Sequence, residues 1–280
     1  MNIDVQFYRE NGYLLVKKLF DEQMVGRIRE ELSVLAAQAD EMEPGSFIYE
    51  DNHEEIRKQS GNPLDWIRKI DLKAMRHSRF LMGLFRDGRS KVARICARLV
   101  DDEALRLIFL STFAKPPRGG AEIPWHQDQG LWDLWMPNAI SGWVALSQTT
   151  DENGVLQVVP GSHLQGMVRH QVLPGKIHES IDVSAFPDME AVKVYMEPGD
   201  AVFFGGLTWH FSEPNRSDGR RLGMPVVYVG ENQLRDSLSC SEWVESKLGM
   251  PENMAPLPMT EERRKFYRDR SKLCVQGEGR

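Results

Sequence analysis

Long apolar runs are missing from this 280-residue chain. No stretch approaches the roughly 18 uncharged apolar residues that a membrane-crossing helix needs, so no membrane partner is expected. Cysteine is scarce. Cys96, Cys240 and Cys274 are odd in number and widely spaced, which excludes a disulfide framework and a zinc knuckle. Free thiols fit a reducing compartment. A surplus of positive charge is missing too: 35 Lys and Arg stand against 41 Asp and Glu, a formal net charge of -6. That excludes the basic footprint of a general nucleic-acid binder, although one local arginine suffices for an anionic small ligand. The first twelve residues hold no basic segment followed by an apolar one, so no secretory signal is expected and the expected location is cytoplasmic.

What is present is the texture of a folded domain, 41% hydrophobic and 27% charged. Residues 1–103 read mainly as helix. Asp21 is a candidate N-cap, with Val25, Ile28, Leu32 and Leu35 on one face of the helix behind it. A second helix is predicted after Asp87, carrying Val92, Ile95, Cys96 and Leu99. Tyr13–Val16 is a short strand candidate, and residues 43–62 lack periodicity and read as a mobile loop. Residues 104–230 differ: short β-prone runs alternate with turn signals such as Lys115-Pro116-Pro117 and Glu197-Pro198-Gly199-Asp200. Many short strands with such turns predict an antiparallel barrel or jelly roll, with helices packed outside it in one domain. Residues 231–280 read as a polar C-terminal extension and lid, with a charged helix over Thr260–Arg270.

The densest chemical signal is Pro124-Trp125-His126-Gln127-Asp128. On an extended strand His126 and Asp128 project to one face, where imidazole and carboxylate suit Fe(II), Mn(II) or Zn(II). The bland reading is a solvated histidine beside an aspartate turn. His210, in Leu207-Thr208-Trp209-His210, is either a core histidine bonded to a carbonyl or a third ligand. With it the set becomes two histidines and one carboxylate, the facial triad of non-haem iron oxygenases. Arg221 stands at the entrance to an apolar strand running to Val229. It is either a surface charge, as Arg220 is expected to be, or a part-buried guanidinium needing an anion such as a dicarboxylate cosubstrate. His53, His77, His170 and His178 lie in polar contexts and read as solvated; His163 reads as structural.

Five ordered blocks carry a resemblance. They are Trp125–Asp128, Trp143–Leu146, Glu152–His163, Gly199–Phe204, and His210 with Ser212, Pro214, Asn215 and Arg221. With the opening Phe7–Tyr13, they make the chain similar to the phytanoyl-CoA dioxygenase family of Fe(II)/2-oxoglutarate-dependent oxygenases. The resemblance implies a mainly β fold with flanking α-helices, a double-stranded β-helix of the jelly-roll, cupin-like kind. It implies that His126, Asp128 and His210 hold Fe(II). It also implies that Arg221 pairs with the far carboxylate of 2-oxoglutarate, with Ser212, Trp143, Ser111 and Lys69 as further cosubstrate contacts. The implied reaction uses O2 to oxidise, most simply to hydroxylate, a C–H bond of a small-molecule substrate, releasing succinate and CO2. Family members that halogenate replace the carboxylate ligand with Ala or Gly, so Asp128 disfavours that chemistry. The competing class is a redox-inactive cupin-like metal enzyme or binding protein, which has no need of Arg221. The pocket walls are expected from residues 43–62, 129–138, 164–190 and 231–258. No Lys/Arg cluster suggests a coenzyme A ester.

Overall fold

The computed structural model describes residues 3–231 apart from 87–89, 133–134, 137, 175 and 177. In chain order the strands are β1 (Tyr13–Val16), β2 (Phe47–Tyr49), β3 (Ile67–Ile70), β4 (Leu105–Leu110), β5 (Thr112–Lys115), β6 (Ile123–His126), β7 (Ile140–Ala145), β8 (Leu156–Val158), β9 (His170–Gln171), β10 (Ser180–Ile181), β11 (Val192–Val194), β12 (Ala201–Gly205), β13 (His210–Ser212) and β14 (Arg221–Gly230). The helices are α1 (Val5–Asn11), α2 (Glu22–Ala37), α3 (His53–Gln59), α4 (Leu72–Met75), α5 (Arg79–Phe85), α6 (Lys91–Val100) and α7 (Asp128–Leu131).

The two long helices form where the periodicity places them. The Asp21 carboxylate accepts from the Met24 N–H at 2.8 Å and starts α2, which buries Val25, Ile28, Leu32 and Leu35. Ser90 caps α6, which buries Val92, Ile95, Cys96 and Leu99; Asp87 lies outside the described residues. Residues 43–62 are not a structureless loop, because β2 and α3 fall there and β2 pairs with β3.

The eight-stranded main sheet runs β1-β12-β7-β14-β5-β3-β2, with β4 also on β14. The smaller sheet runs β11-β8-β13-β6. These two sheets make the expected jelly roll, and the segment before residue 104 contributes β1, β2 and β3 as well as helices. Alternation along each strand separates two faces. On β14, Leu222, Met224, Val226 and Tyr228 share one apolar cluster with α2, α5 and α6. Arg221, Pro225 and Val227 point the other way and line a cavity. Pro225 has no N–H to give the ladder; opposite it, at Ser111, the pairing of β14 with β4 gives way to that with β5. The expected strand over Leu207–His210 begins only at His210. Cys240, Cys274, the Thr260–Arg270 helix and nearly all of the expected lid lie outside the described residues.

Candidate active site

β6 ends at His126 and β13 begins at His210, and the two are direct cross-strand partners. Their ring centroids lie 4.0 Å apart. Each ring is oriented in the same way: Nδ1 meets the carbonyl two residues earlier, Pro124 at 2.8 Å and Thr208 at 3.0 Å. With Nδ1–H donating there, each Nε2 presents a lone pair. Burial, and then His210, push His126 below the ordinary histidine range, which favours the neutral ring.

Asp128 is not on the strand with His126. β6 stops, Gln127 is the N-cap, and Asp128 opens the short helix α7. The cause is the anchorage of Gln127. Its amide donates to the Gly166 and Leu207 carbonyls at 2.8 Å, and its oxygen accepts from the Val168 N–H at 2.8 Å. Its backbone N–H donates to His170 Nε2 at 2.8 Å. His170 is therefore fully buried, not solvated. The turn still delivers the carboxylate: Asp128 Oδ1 is 3.7 Å from His126 Nε2 and 3.6 Å from His210 Nε2. Its other oxygen accepts from Ser141 Oγ at 2.7 Å. Burial alone would raise this carboxyl, but His210, His126 and Ser141 outweigh it and hold it at about 2. The donor atoms of His126, Asp128 and His210 all lie within 4.8 Å of one another. Two oriented imidazoles and an ionised carboxylate are a donor set that can hold Fe(II), Mn(II) or Zn(II).

The three open on one cavity of about 320 Å³ between the sheets. Its walls are mostly apolar, including Phe109, Phe113, Trp132, Leu156, Phe204 and Val227. Arg221, Trp143, Ser212 and Lys69 all line it. Arg221 is buried, 3% exposed, and lies over the Trp143 ring. No carboxylate pairs with it among the described residues, and its buried Nε has no hydrogen-bond partner. Burial pushes the guanidinium down to about 10, still cationic at neutral pH. An unpaired buried guanidinium is a seat for an anion. Lys69 pairs with Asp71 at 2.8 Å and faces the Phe109 and Phe113 rings. Ser111 does not line the cavity; it is fully buried between those phenylalanines along the strand, its hydroxyl without a partner among the described residues.

Several residues escaped the sequence reading. His178 is no solvated histidine: it lines the cavity with its ring 4.9 Å from that of His126, and burial, then His126, push it down to about 4. Ser141 and Lys115 also line the cavity. Ser141 shares its strand face with Trp143, and Lys115 shares its own with Phe109 and Phe113, so alternation alone would have found both. Arg220 pairs with Asp65 and is only partly exposed. Of the expected walls, 129–138 supplies Leu131 and Trp132 and 164–190 supplies His178, while 43–62 supplies none.

Residues 8–223 match the family model of phytanoyl-CoA dioxygenase (PhyH). The chain belongs to the phytanoyl-CoA dioxygenase family. The peroxisomal phytanoyl-CoA dioxygenase of Rattus norvegicus is 27% identical over 241 residues, covering 80% of this chain and 66% of that protein. L-proline trans-4-hydroxylase of Streptomyces griseoviridis is 39% identical over 136 residues, 41% of this chain and 50% of that one. The match thus spans about two thirds of the rat enzyme and half of the hydroxylase. Among solved structures, EctD from S. alaskensis with bound Fe superposes with a TM-score of 0.64 at 22% identity, covering 81% of this chain and 75% of that one. That likeness places this PhyH member in the same fold.

Proposed function

We propose that this PhyH-family chain is an Fe(II)- and 2-oxoglutarate-dependent dioxygenase that hydroxylates a C–H bond of a small-molecule metabolite, releasing succinate and CO2. The observation that carries the reading is the pairing of two features in one cavity. The His126, Asp128 and His210 donors converge on one side, and the buried, anion-less Arg221 stands on another. A redox-inactive cupin-like enzyme has no use for the second feature.

When bound, iron supplies the activation of O2, coupled to oxidative decarboxylation of 2-oxoglutarate. The chain does the rest. His126, Asp128 and His210 hold the metal, with Ser141 and the Pro124 and Thr208 carbonyls fixing their orientation. Arg221 seats the far carboxylate, with Ser212 beside it and Trp143 beneath the guanidinium. Phe109, Phe113, Trp132 and Phe204 exclude water and offer an apolar surface to the substrate. The cavity volume suits a cosubstrate and a small metabolite together. The one described cysteine, Cys96, is free and buried, which supports a reducing compartment such as the cytoplasm. No helix among the described residues is long and apolar enough to cross a membrane.

The test is anaerobic. Protein given Fe(II) and then 2-oxoglutarate should develop the weak visible charge-transfer band of the chelated cosubstrate, and Arg221→Ala or His210→Ala should lose it. Bound iron without a band would point to the redox-inactive class. Failure to bind iron would remove the metal assignment itself.

A further inference from the structure

Lys115 ends β5 directly across from Arg221, the first residue of β14. Cross-strand partners in an antiparallel pair place their side chains on one face. Both line the cavity, and both are 3% exposed. The Lys115 Nζ donates to the Ser212 carbonyl at 3.2 Å and to the Glu213 carbonyl. Carbonyl oxygens orient an amine without neutralising it. Among the described residues neither Lys115 nor Arg221 has a carboxylate within ion-pair distance. The charged groups acting on Lys115 are Arg221, which opposes its proton, and Glu122, Glu213 and Glu50, which favour it from longer range.

Two buried cations side by side with no anion are costly, and one of them sheds its proton. The guanidinium keeps its charge, so the amine yields. Burial first and Arg221 second push Lys115 down to about 6, and the three glutamates do not compensate. At neutral pH the seat then carries a single positive charge. An arriving carboxylate restores the balance that favours the second.

We propose that Lys115 is a cosubstrate-binding residue beside Arg221, neutral before 2-oxoglutarate arrives and protonated once the far carboxylate is seated, so that binding takes up one proton from solvent. This rests on the reading of the cavity as a 2-oxoglutarate site. The sign follows from linkage: a complex that holds one more proton weakens as pH rises. Affinity should therefore fall by up to about tenfold per pH unit above pH 6, until the raised pKa of Lys115 in the complex is passed. Below pH 6 the amine is already charged and the dependence flattens.

The experiment is calorimetric titration of 2-oxoglutarate into the Mn(II)-loaded protein at pH 7.5, in PIPES and in Tris, whose ionisation heats differ. Mn(II) keeps turnover out of the measurement. The wild type should show buffer-dependent heats corresponding to uptake of close to one proton. Lys115→Arg, with a fixed charge, should still bind but with buffer-independent heats and a flat pH profile. Lys115→Met should bind about tenfold or more weakly and also show no uptake; its melting curve checks that it is folded. Buffer-independent heats in the wild type, or unchanged proton uptake in Lys115→Arg, would overturn the proposal while leaving the cosubstrate site standing. No binding of 2-oxoglutarate to the wild type would overturn both.

Discussion

The guanidinium carbon of Arg221 lies 4.7 Å from the centre of the Trp143 ring, so the arginine is carried on an aromatic face rather than on a carboxylate. Cation–π support of this kind contributes about 0.5–2 kcal/mol, leaving the donors free for an anion. Arg221→Lys keeps the charge and loses the planar fork. Its apparent KM for 2-oxoglutarate should rise about tenfold, and that of Arg221→Ala about 10- to 100-fold, from the lost charged hydrogen bonds. Succinate release against cosubstrate concentration measures both. Values within twofold of wild type would remove Arg221 from the seat.

The same ring explains Gly223. A Cβ built there would stand 1.7 Å from Trp143 Cζ2. Gly223→Ala should therefore push the indole aside and unseat Arg221 with it, raising the KM for 2-oxoglutarate several-fold. Metal affinity should stay near wild type, since His126, Asp128 and His210 are carried by β6, α7 and β13 rather than by the strands of Gly223 and Trp143. Equal loss of both would mean general collapse of the barrel.

Ser141 lines the cavity and donates to Asp128 Oδ2. Deleting such a partner costs about 10- to 100-fold in metal affinity. Ser141→Ala should show this in a Mn(II) titration, with the protein still folded. An unchanged Mn(II) affinity would mean that Asp128 is held well enough without the bond.

Metal removal should lower the melting temperature. A ligand at 100 times its Kd adds about 2.7 kcal/mol. For a chain of this size that is roughly 5 °C. Chelation should remove the gain and Fe(II) or Mn(II) restore it. In Asp128→Ala neither treatment should matter, and a full metal-induced shift in that variant would refute the triad.

Asp200 predicts an acid-sensitive strut away from the site. Its carboxylate accepts from Lys17 Nζ and from the Lys18 and Glu197 N–H groups, each at 2.8 Å. Burial would raise its pKa, but the bonds from Lys17, Lys18 and Glu197 prevail and hold it below the ordinary range. A depressed carboxyl stabilises the fold above its unfolded pKa of about 3.9, and the contribution vanishes as pH falls through the folded value. Asp200→Asn should cost on the order of 2 kcal/mol of stability at pH 7, read as a lowered melting temperature. The two proteins should converge once the pH has fallen through the lowered pKa of Asp200; a gap that persists in stronger acid would argue for lost packing.

The strands were legible because alternation and Gly/Pro turns are local signals, and the triad because its residues sit in recognisable blocks. What escaped was non-local. Nothing near Gln127 in sequence says that Gly166, Val168, His170 and Leu207 will grip it and turn Asp128 off the strand. His170 and His178 lie in polar segments, and only the folding of that loop onto β6 buries one and aims the other at the site. Lys115 was hidden by the two prolines after it, which announce a turn, although its alternation with Phe109 and Phe113 already set it on the cavity face. β2 and α3 lack periodicity because they are short and only partly buried.

β14 is the last described strand in the chain and a central one in the sheet, pairing with β4, β5 and β7. A ribosome therefore makes three of the sheet's strands before their common partner. Between Ala145 and Gly230 translation takes roughly 4–17 s at about 5–20 residues per second. Throughout that interval the nascent polypeptide carries apolar strand edges with nothing to bond to, the form most exposed to misassembly. The vulnerable species is the unfinished chain, and yield on expression should respond to chaperone supply and translation speed more than to the stability of the finished barrel.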